Sequence, residues 1–285
     1  MGVGPKKQLL QFLAEDIQSG DITSALLPNK KIKAKIISRE QGIVAGVKFA
    51  KYIFQSKRCA VRIFIKDGSR LKPNQTILQV SGSVKSILSC ERTVLNLLSR
   101  MSGIATQTNY LVSQIKKYSK KTDLYSTRKT APGLRYFDKE AVKIGGGHKH
   151  RMALDDMVMI KDNHLLLCNS MKSIIKKARK KHRHVEVEVE NQNDAISAAE
   201  YGAMIVMLDN FSPTQIKKTI TALQKKKLRK SVRLEASGGI NSKNINAYAK
   251  TGVDIISVGS ITLSLIHISE PTRPRLISYA VFCLK

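Results

Sequence analysis

Tryptophan is absent and aromatic residues make up only 5% of the 285-residue chain. Binding single-stranded nucleic acid by stacking needs aromatic platforms, and no stripe of them is visible. Cysteine is scarce: Cys59, Cys90, Cys168 and Cys283 show neither CxxC nor metal-ligand spacing. That argues against a disulfide framework or a thiolate zinc site, and for buried thiols in a reduced, cytoplasmic setting. No apolar run is long enough to span a bilayer, so no membrane partner is expected. The opening MGVGPKK lacks the apolar core of a signal peptide and has lysine at position 6, against both secretion and myristoylation.

Acidic residues are the other shortage. Twenty-one Asp+Glu against 50 Lys+Arg leave a formal charge of +29. Such a balance suits nucleic acid or an anionic membrane. Here, though, the lysines come as scattered pairs and triplets (Lys116-Lys117, Lys120-Lys121, Lys176-Lys177, Lys217-Lys218, Lys225 to Lys227) within helix-like stretches. They read as solvated helix faces, and no nucleic-acid partner is expected. The positive field would still speed capture of a small anion.

What is present is organised in two styles. Over the first ~80 residues, short alternating runs at 32–38, 61–66 and 76–81 are separated by turns and by helix-like segments at 9–17 and 49–54. This predicts a small antiparallel α+β domain. Residues 86–117 carry apolar residues at helical spacing, with Gly103 expected to break them into two helices. From Thr122 the rhythm changes. Short apolar runs at 123–127, 157–160, 185–189, 204–208, 232–236 and 254–258 alternate with helical stretches at 138–144, 171–181, 194–201, 213–223 and 242–250. A repeated βα pattern predicts parallel strands with helical crossovers, in a barrel or a doubly wound sheet.

In a barrel the site lies at the C-terminal ends of the strands. Polar residues collect in phase with those ends: Arg128 and Lys129, then Lys161-Asp162-Asn163-His164, Glu188 and Glu190, Asp209-Asn210, Ser237-Gly238-Gly239, and Gly259-Ser260. Residues 126–164 supply a dense basic set, Arg128, Lys129, Arg135, His148, Lys149, His150, Arg151 and Lys161. Lys129 and Lys161 suit phosphates as point charges, while Arg128 and Arg151 suit bidentate carboxylate recognition. The two glycine turns expose backbone N–H groups to an anion, the first ahead of a helix expected from Ser242. Glu188 and Asp209 suit ribose hydroxyls, a Mg²⁺ ion or a developing positive charge. Glu186, Glu188 and Glu190 share one strand face, so alternation alone does not separate their roles.

These residues resemble a known family. Thr127-Arg128-Lys129-Thr130-Ala131-Pro132-Gly133-Leu134-Arg135, Gly145-Gly146-Gly147-His148-Lys149-His150-Arg151 and Ile160-Lys161-Asp162-Asn163-His164 look like quinolinate phosphoribosyltransferase, also called nicotinate-nucleotide pyrophosphorylase (carboxylating). The likeness runs over roughly residues 9–262 and takes in Glu91-Arg92-Thr93-Val94-Leu95-Asn96 and Leu208-Asp209-Asn210. It implies an N-terminal α/β sandwich domain (residues 1–108, carrying dimer contacts) and an incomplete TIM-like α/β barrel (109–262). It implies transfer of a phosphoribosyl group from phosphoribosyl pyrophosphate to quinolinate with decarboxylation, in NAD biosynthesis. It implies a homodimer or higher homo-oligomer in which Arg92 reaches the neighbouring site. Quinolinate contacts would come from Arg128, His150 and Arg151, with Thr127 also among the substrate-binding residues. Lys129, Lys161, Glu188 and Asp209 would carry the catalytic work on phosphoribosyl pyrophosphate, with Ser237, Gly238, Gly239, Gly259 and Ser260 on phosphate. Mg²⁺ would enter mainly with the substrate, without a dedicated protein site.

Two features depart from the family. Lys149 stands where the family usually has Asn, ahead of the His150-Arg151 pair. The last stretch, 263–285, LSLIHISEPTRPRLISYAVFCLK, does not look like the family's closing strand, and its SLIHISEPTRP portion resembles translated adapter DNA. The tail is therefore read as non-native sequence that packs poorly. Rival readings are the related molybdenum-utilisation family and nicotinate phosphoribosyltransferase. The intact Lys161-Asp162-Asn163-His164 and Gly145-Gly146-Gly147 motifs and the density of arginines favour the diacid. A basic nucleic-acid-binding protein would not need acidic strand ends at Glu188 and Asp209.

Overall fold

The structure, a computed structural model, describes residues 4–168, 170–263 and 280–284. In chain order the elements are α1 (Pro5–Ile17), α2 (Ile22–Ala25), β1 (Lys31–Ser38), β2 (Gly42–Ile43), α3 (Val47–Ser56), β3 (Ala60–Ile63), β4 (Arg70–Leu71), β5 (Thr76–Ser83), α4 (Val84–Lys116), β6 (Asp123–Tyr125), α5 (Arg135–Ile144), β7 (Val158–Ile160), α6 (Asp162–Leu166), α7 (Met171–Lys181), β8 (Val185–Val189), α8 (Gln192–Glu200), β9 (Ile205–Asp209), α9 (Pro213–Lys225), β10 (Arg233–Ser237), α10 (Ile245–Ala249), β11 (Ile255–Ser257), α11 (Ser260–Leu263) and β12 (Ala280–Leu284). Among the described residues no helix is long and apolar enough to cross a membrane.

The chain forms two compact units. One holds the residues up to Asn109, Tyr136–Gly146 and the strand Ala280–Leu284; the other holds Tyr110–Arg135 and the described residues within 147–263. The first is built on an antiparallel sheet in the order β12-β1-β5-β3. The alternation in β1 buries Ala34, Ile36 and Ser38, as period-two patterning requires. On α3, Val47, Ala50, Ile53 and Phe54 are buried at helical spacing. Each of the Val, Ile and Phe side chains contributes about 1.5–3 kcal/mol on full burial. The α5 segment belongs to this unit. Phe137 packs on Phe12 and Phe49 with ring centroids 5.6 and 5.1 Å apart, and Asp138 takes both Nε and Nη2 of Arg100 at 2.7 and 2.8 Å.

Two sequence expectations fail here. Gly103 does not divide α4, which runs unbroken over 33 residues. Glycine costs a helix only about 1 kcal/mol relative to alanine. Here it sits within a continuous buried stripe that includes Val94, Leu98, Met101, Ile104, Ala105 and Leu111, so tertiary packing overrides propensity. The tail was expected to pack poorly. Ala280–Leu284 instead pair antiparallel with β1, from Ala34↔Leu284 to Ser38↔Ala280. An unpaired β1 edge presents a row of free N–H and C=O groups, and the β-prone run AVFCL supplies partners. The remainder of the tail, residues 264–279, and Lys285 lie outside the described residues.

The second unit is a six-stranded parallel sheet in the order β6-β11-β10-β9-β8-β7. Helices fall between the strands in the predicted βα rhythm, and β8 and α7 occupy the predicted residues. No pairing joins β6 to β7 among the described residues, so the barrel is incomplete. Chain 147–150 lies along β6 instead: His148 N donates to Leu124 O, Ser126 N to His148 O, and Ser126 Oγ to Lys149 O. The register aligns Lys161 with Glu188, one step beyond Ile160↔Val187, and also Glu188 with Met207, Met207 with Glu235, and Asp209 with Ser237. Strand alternation thus puts Met159, Lys161, Glu186, Glu188, Met207, Asp209, Glu235 and Ser237 on one face.

Candidate active site

That face, Glu186 excepted, lines a cavity of about 500 Å³, with Thr127, Arg128, Lys129, His150 and Arg151 completing the wall. Nine of the fourteen residues singled out from the sequence line it: Thr127, Arg128, Lys129, His150, Arg151, Lys161, Glu188, Asp209 and Ser237. Gly238, Gly239, Gly259 and Ser260 do not line it; the glycines lie in the turns directly after β10 and β11, and Ser260 opens α11. Gly238 has φ +89°, and a Cβ there would meet Asn210 Oδ1 at 2.1 Å. A side chain on Gly259 would meet Lys129 Cδ at 3.1 Å and Thr127 Oγ1 at 3.3 Å. Both glycines are therefore fixed by close approach of other chain, as well as by any ligand. The helix expected from Ser242 begins at Ile245, because Asn241 and Asn244 form a turn in which Asn244 Oδ1 accepts Asn241 N at 2.8 Å. Arg92 is exposed in the middle of α4, in the first unit, and is not among the lining residues.

Local structure aims the basic side chains. Lys161 stands ahead of α6, where His164 Nδ1 accepts its amide N–H at 3.0 Å and Lys161 O accepts His164 N at 2.9 Å. The exposed His164 thereby fixes the backbone from which the Lys161 side chain projects. Thr262 Oγ1 donates to Lys129 O at 2.7 Å and ties the 127–130 loop to α11. The basic and acidic halves read from the sequence meet directly, with Lys161 Nζ 2.6 Å from Glu188 Oε2.

Arg128 and Arg151 are both only partly exposed, and Arg128 Nε is buried without a hydrogen-bond partner among the described residues. Arg151 donates from Nη2 to Met159 sulfur at 3.1 Å. Burial, with the like charge of Arg128 added, pulls the Arg151 pKa below its ordinary value; Glu186 and Glu188 pull the other way. Two guanidinium groups held in mutual repulsion form a site that an anion with several charges would relieve.

At the bottom of the site, sequence reasoning left the role of Glu186 open and missed Glu235. Glu235 and Glu186 are fully buried and converge on His150 Nε2, at 3.6 and 3.3 Å. Burial raises the Glu186 pKa to about 7, with the charge of Glu235 adding to it. For His150, burial pulls down and the two carboxylates more than reverse it, to about 9. The signal was present: Glu235 is two residues before Ser237 and shares its face, at a position where barrel strands normally carry apolar residues. Met159 and Met207 follow from the same alternation.

The family model described as quinolinate phosphoribosyl transferase, N-terminal domain, matches residues 21–102, and the model of its C-terminal domain matches residues 104–268. The chain is 42% identical over 259 residues to the "Probable nicotinate-nucleotide pyrophosphorylase (carboxylating)" of Methanothermobacter thermautotrophicus, covering 89% of this chain and 93% of that protein. It is 38% identical to the nicotinate-nucleotide pyrophosphorylase (carboxylating) of Dictyostelium discoideum, over 92% of this chain and 93% of that one. Among solved structures, the nicotinate-nucleotide pyrophosphorylase of Francisella tularensis superposes with a TM-score of 0.86 at 37% identity, covering 99% of this chain and 97% of the other.

Proposed function

The chain belongs to the quinolinate phosphoribosyl transferase family, and from that premise we propose that it transfers the phosphoribosyl group of phosphoribosyl pyrophosphate to quinolinate, with loss of CO₂, to give nicotinate mononucleotide and pyrophosphate. The observation that carries this reading is the cavity at the strand ends, where Arg128, Arg151, Lys129 and Lys161 share a wall with Glu188 and Asp209.

The chemistry follows from those residue types. Quinolinate brings two carboxylates, which Arg128 and Arg151 suit by their forked donors. Its ring nitrogen carries a lone pair and needs no base. That nitrogen attacks C1 of the ribose as pyrophosphate leaves, with Lys129 and Lys161 neutralising the departing charge. C1 gains oxocarbenium character, which Glu188 and Asp209 stabilise electrostatically. As the adjacent C–CO₂ bond breaks, its electron pair stays on the ring carbon as an ylide stabilised by the neighbouring quaternised nitrogen, and that carbon then takes up a proton. Much of the catalysis is positioning: two polyanions that repel in water are held together. The turns at Ser237-Gly238-Gly239 and Gly259-Ser260 are assigned to the ribose phosphate. Lys161 is already paired with Glu188, so the incoming pyrophosphate competes with a carboxylate for it.

Mg²⁺ prefers oxygen donors in an octahedral shell and keeps several waters beside one or two carboxylates and substrate phosphates. Asp209, an oxygen donor on the cavity wall, fits that role and would hold the ion through water, the ion supplying charge neutralisation on pyrophosphate. The buried His150, Glu186 and Glu235, whose ligand atoms lie within 4.8 Å of one another, do not fit it: they offer a nitrogen and leave no room for a water shell.

We assign the chain to a cytoplasmic homodimer in which Arg92 serves the partner's cavity. An exposed arginine on a helix whose neighbouring positions Thr93, Val94 and Leu95 are buried supports that role. The test of the reaction is direct: purified protein with quinolinate, phosphoribosyl pyrophosphate and Mg²⁺ should form nicotinate mononucleotide and CO₂. Turnover of nicotinate in place of quinolinate would overturn it. For the shared site, Arg92→Ala and Lys161→Ala are expected to be inactive apart and partly active when mixed as hybrid dimers. Absence of rescue counts against the dimer.

A further inference from the structure

We infer that Glu186 and Glu235 are positioning residues that aim the His150 ring and, through it, Arg151 at the carboxylate side of the cavity. The inference rests on the quinolinate reading above and names residues that the resemblance did not.

The first ground is burial. Both glutamates have no exposed surface and stand in a barrel interior where apolar side chains would pack without desolvation cost. Burying two carboxylates side by side is unfavourable unless a nearby cation or donor repays it. The groups that face His150 are few: Glu186 from β8, Glu235 from β10, the edge of Tyr125 from β6 with centroids 5.9 Å apart, and Arg151 next in the chain. His148 stacks on the same Tyr125 at 4.9 Å.

The second ground is convergence on one atom. Ser257 Oγ donates to Glu235 Oε1 at 2.6 Å, which leaves Oε2 directed to His150. Glu186 Oε2 approaches the same Nε2. These are ion-pair contacts rather than well-aligned hydrogen bonds, so both oxygens compete for a single hydrogen.

The third ground is the opposite edge of the ring. His150 Nδ1 accepts the backbone N–H of Arg151 at 2.8 Å, from a left-handed backbone at φ 53°. That bond occupies the Nδ1 lone pair and opposes a second proton there. The carboxylates favour the imidazolium and the Arg151 amide resists it, but in either state Nε2 carries a hydrogen on the side of the two carboxylates. In the neutral Nε2–H form the ring is held at both nitrogens, and the amide it holds is that of Arg151. A change in ring tilt moves the start of the Arg151 side chain. Partners that orient a liganding histidine are worth about 10–100-fold elsewhere.

The experiment has two arms. In the wild-type protein, ¹⁵N NMR of the histidine rings should show His150 with Nε2 protonated. An Nδ1–H tautomer or a mixture of tautomers would overturn the inference even if no variant folds. In Glu186→Gln and Glu235→Gln, KM for quinolinate should rise about tenfold, with KM for phosphoribosyl pyrophosphate within about twofold and the His150 signals shifted. Equal changes for both substrates, or an unchanged KM for quinolinate, would overturn it as well. Failure of the wild type to use quinolinate would instead sink the functional reading, and the NMR arm would still report on the ring.

Discussion

Lys161 lies 2.6 Å from Glu188 with 39% of its side chain exposed, whereas His150 lies 3.3 Å from Glu186 and 3.6 Å from Glu235 with 6% exposed. Both are cation–carboxylate groups built around one parallel sheet. At the exposed rim, water competes for each partner, and such pairs are worth about 0–1 kcal/mol. The rim pair is therefore easily opened by a substrate phosphate. In the sealed floor, desolvation costs several kcal/mol per ion as a general magnitude, so the floor persists only where function or mutual pairing holds it. The difference separates what a substrate can rearrange from what it must take as given.

Removing the rim cation should have the largest effect on activity and almost none on stability. Lys161→Ala is expected to lower kcat/KM on the order of 10³-fold, while Tm moves by about 2 °C or less. Steady-state kinetics beside thermal unfolding checks both; a large Tm loss would show that the pair is structural. Replacing the floor should reverse the pattern. Glu186→Leu combined with Glu235→Met is expected to keep or raise Tm, since apolar fill often matches or exceeds a buried ionic cluster, and to lower kcat/KM for quinolinate about tenfold or more. A marked loss of Tm would contradict the assignment of the floor to function.

The pH dependence of stability sharpens the same contrast. His150 in the fold sits at about 9, above its ordinary 6.5, so its contribution is complete below 6.5 and is lost as pH rises towards 9. Glu186 is raised from 4.5 to about 7, so the fold favours its protonated form and that contribution is lost as pH rises through 7. Both groups bind more protons folded than unfolded. The unfolding temperature should fall between about pH 5 and 9, and Glu186→Gln should flatten the lower part of the curve. A Tm that climbs over that range would refute the floor's charge assignment. The smallest effect is expected from salt. Going from low salt to about 0.5 M should raise KM for phosphoribosyl pyrophosphate a few-fold by screening the rim, and leave the His150 NMR signals unmoved.

What the sequence could disclose follows the range of the forces involved. The βα rhythm and the C-terminal strand ends were legible because alternation and punctuation are local: β8 lies where the Val-Glu-Val-Glu-Val run predicts, and Lys161, Glu188 and Asp209 do reach one cavity. Gly103 misled because its place within α4 is decided by packing far along the chain. The convergence of Glu186 and Glu235 on one nitrogen depends on β9 standing between their strands in register, which composition and spacing do not encode. The pairing of β12 with β1 is likewise a contact across nearly the whole chain.

The placement of α5 bears on how this protein can be taken apart. The stretch Tyr136–Gly146, most of α5 and the turn after it, follows β6 in the chain yet clusters with the N-terminal unit, where Phe137 and Asp138 are completely buried and Gly145 lies so close to α4 that a Cβ would collide with Ala105 O. The two matched family domains adjoin near residue 103 as consecutive lengths of sequence, but a peptide ending there would lack the helix that fills its own interior. Expressed alone, it would be a fragment awaiting complementation. The division between the halves is one that a ribosome passes through in order and that the folded chain has to sew closed afterwards.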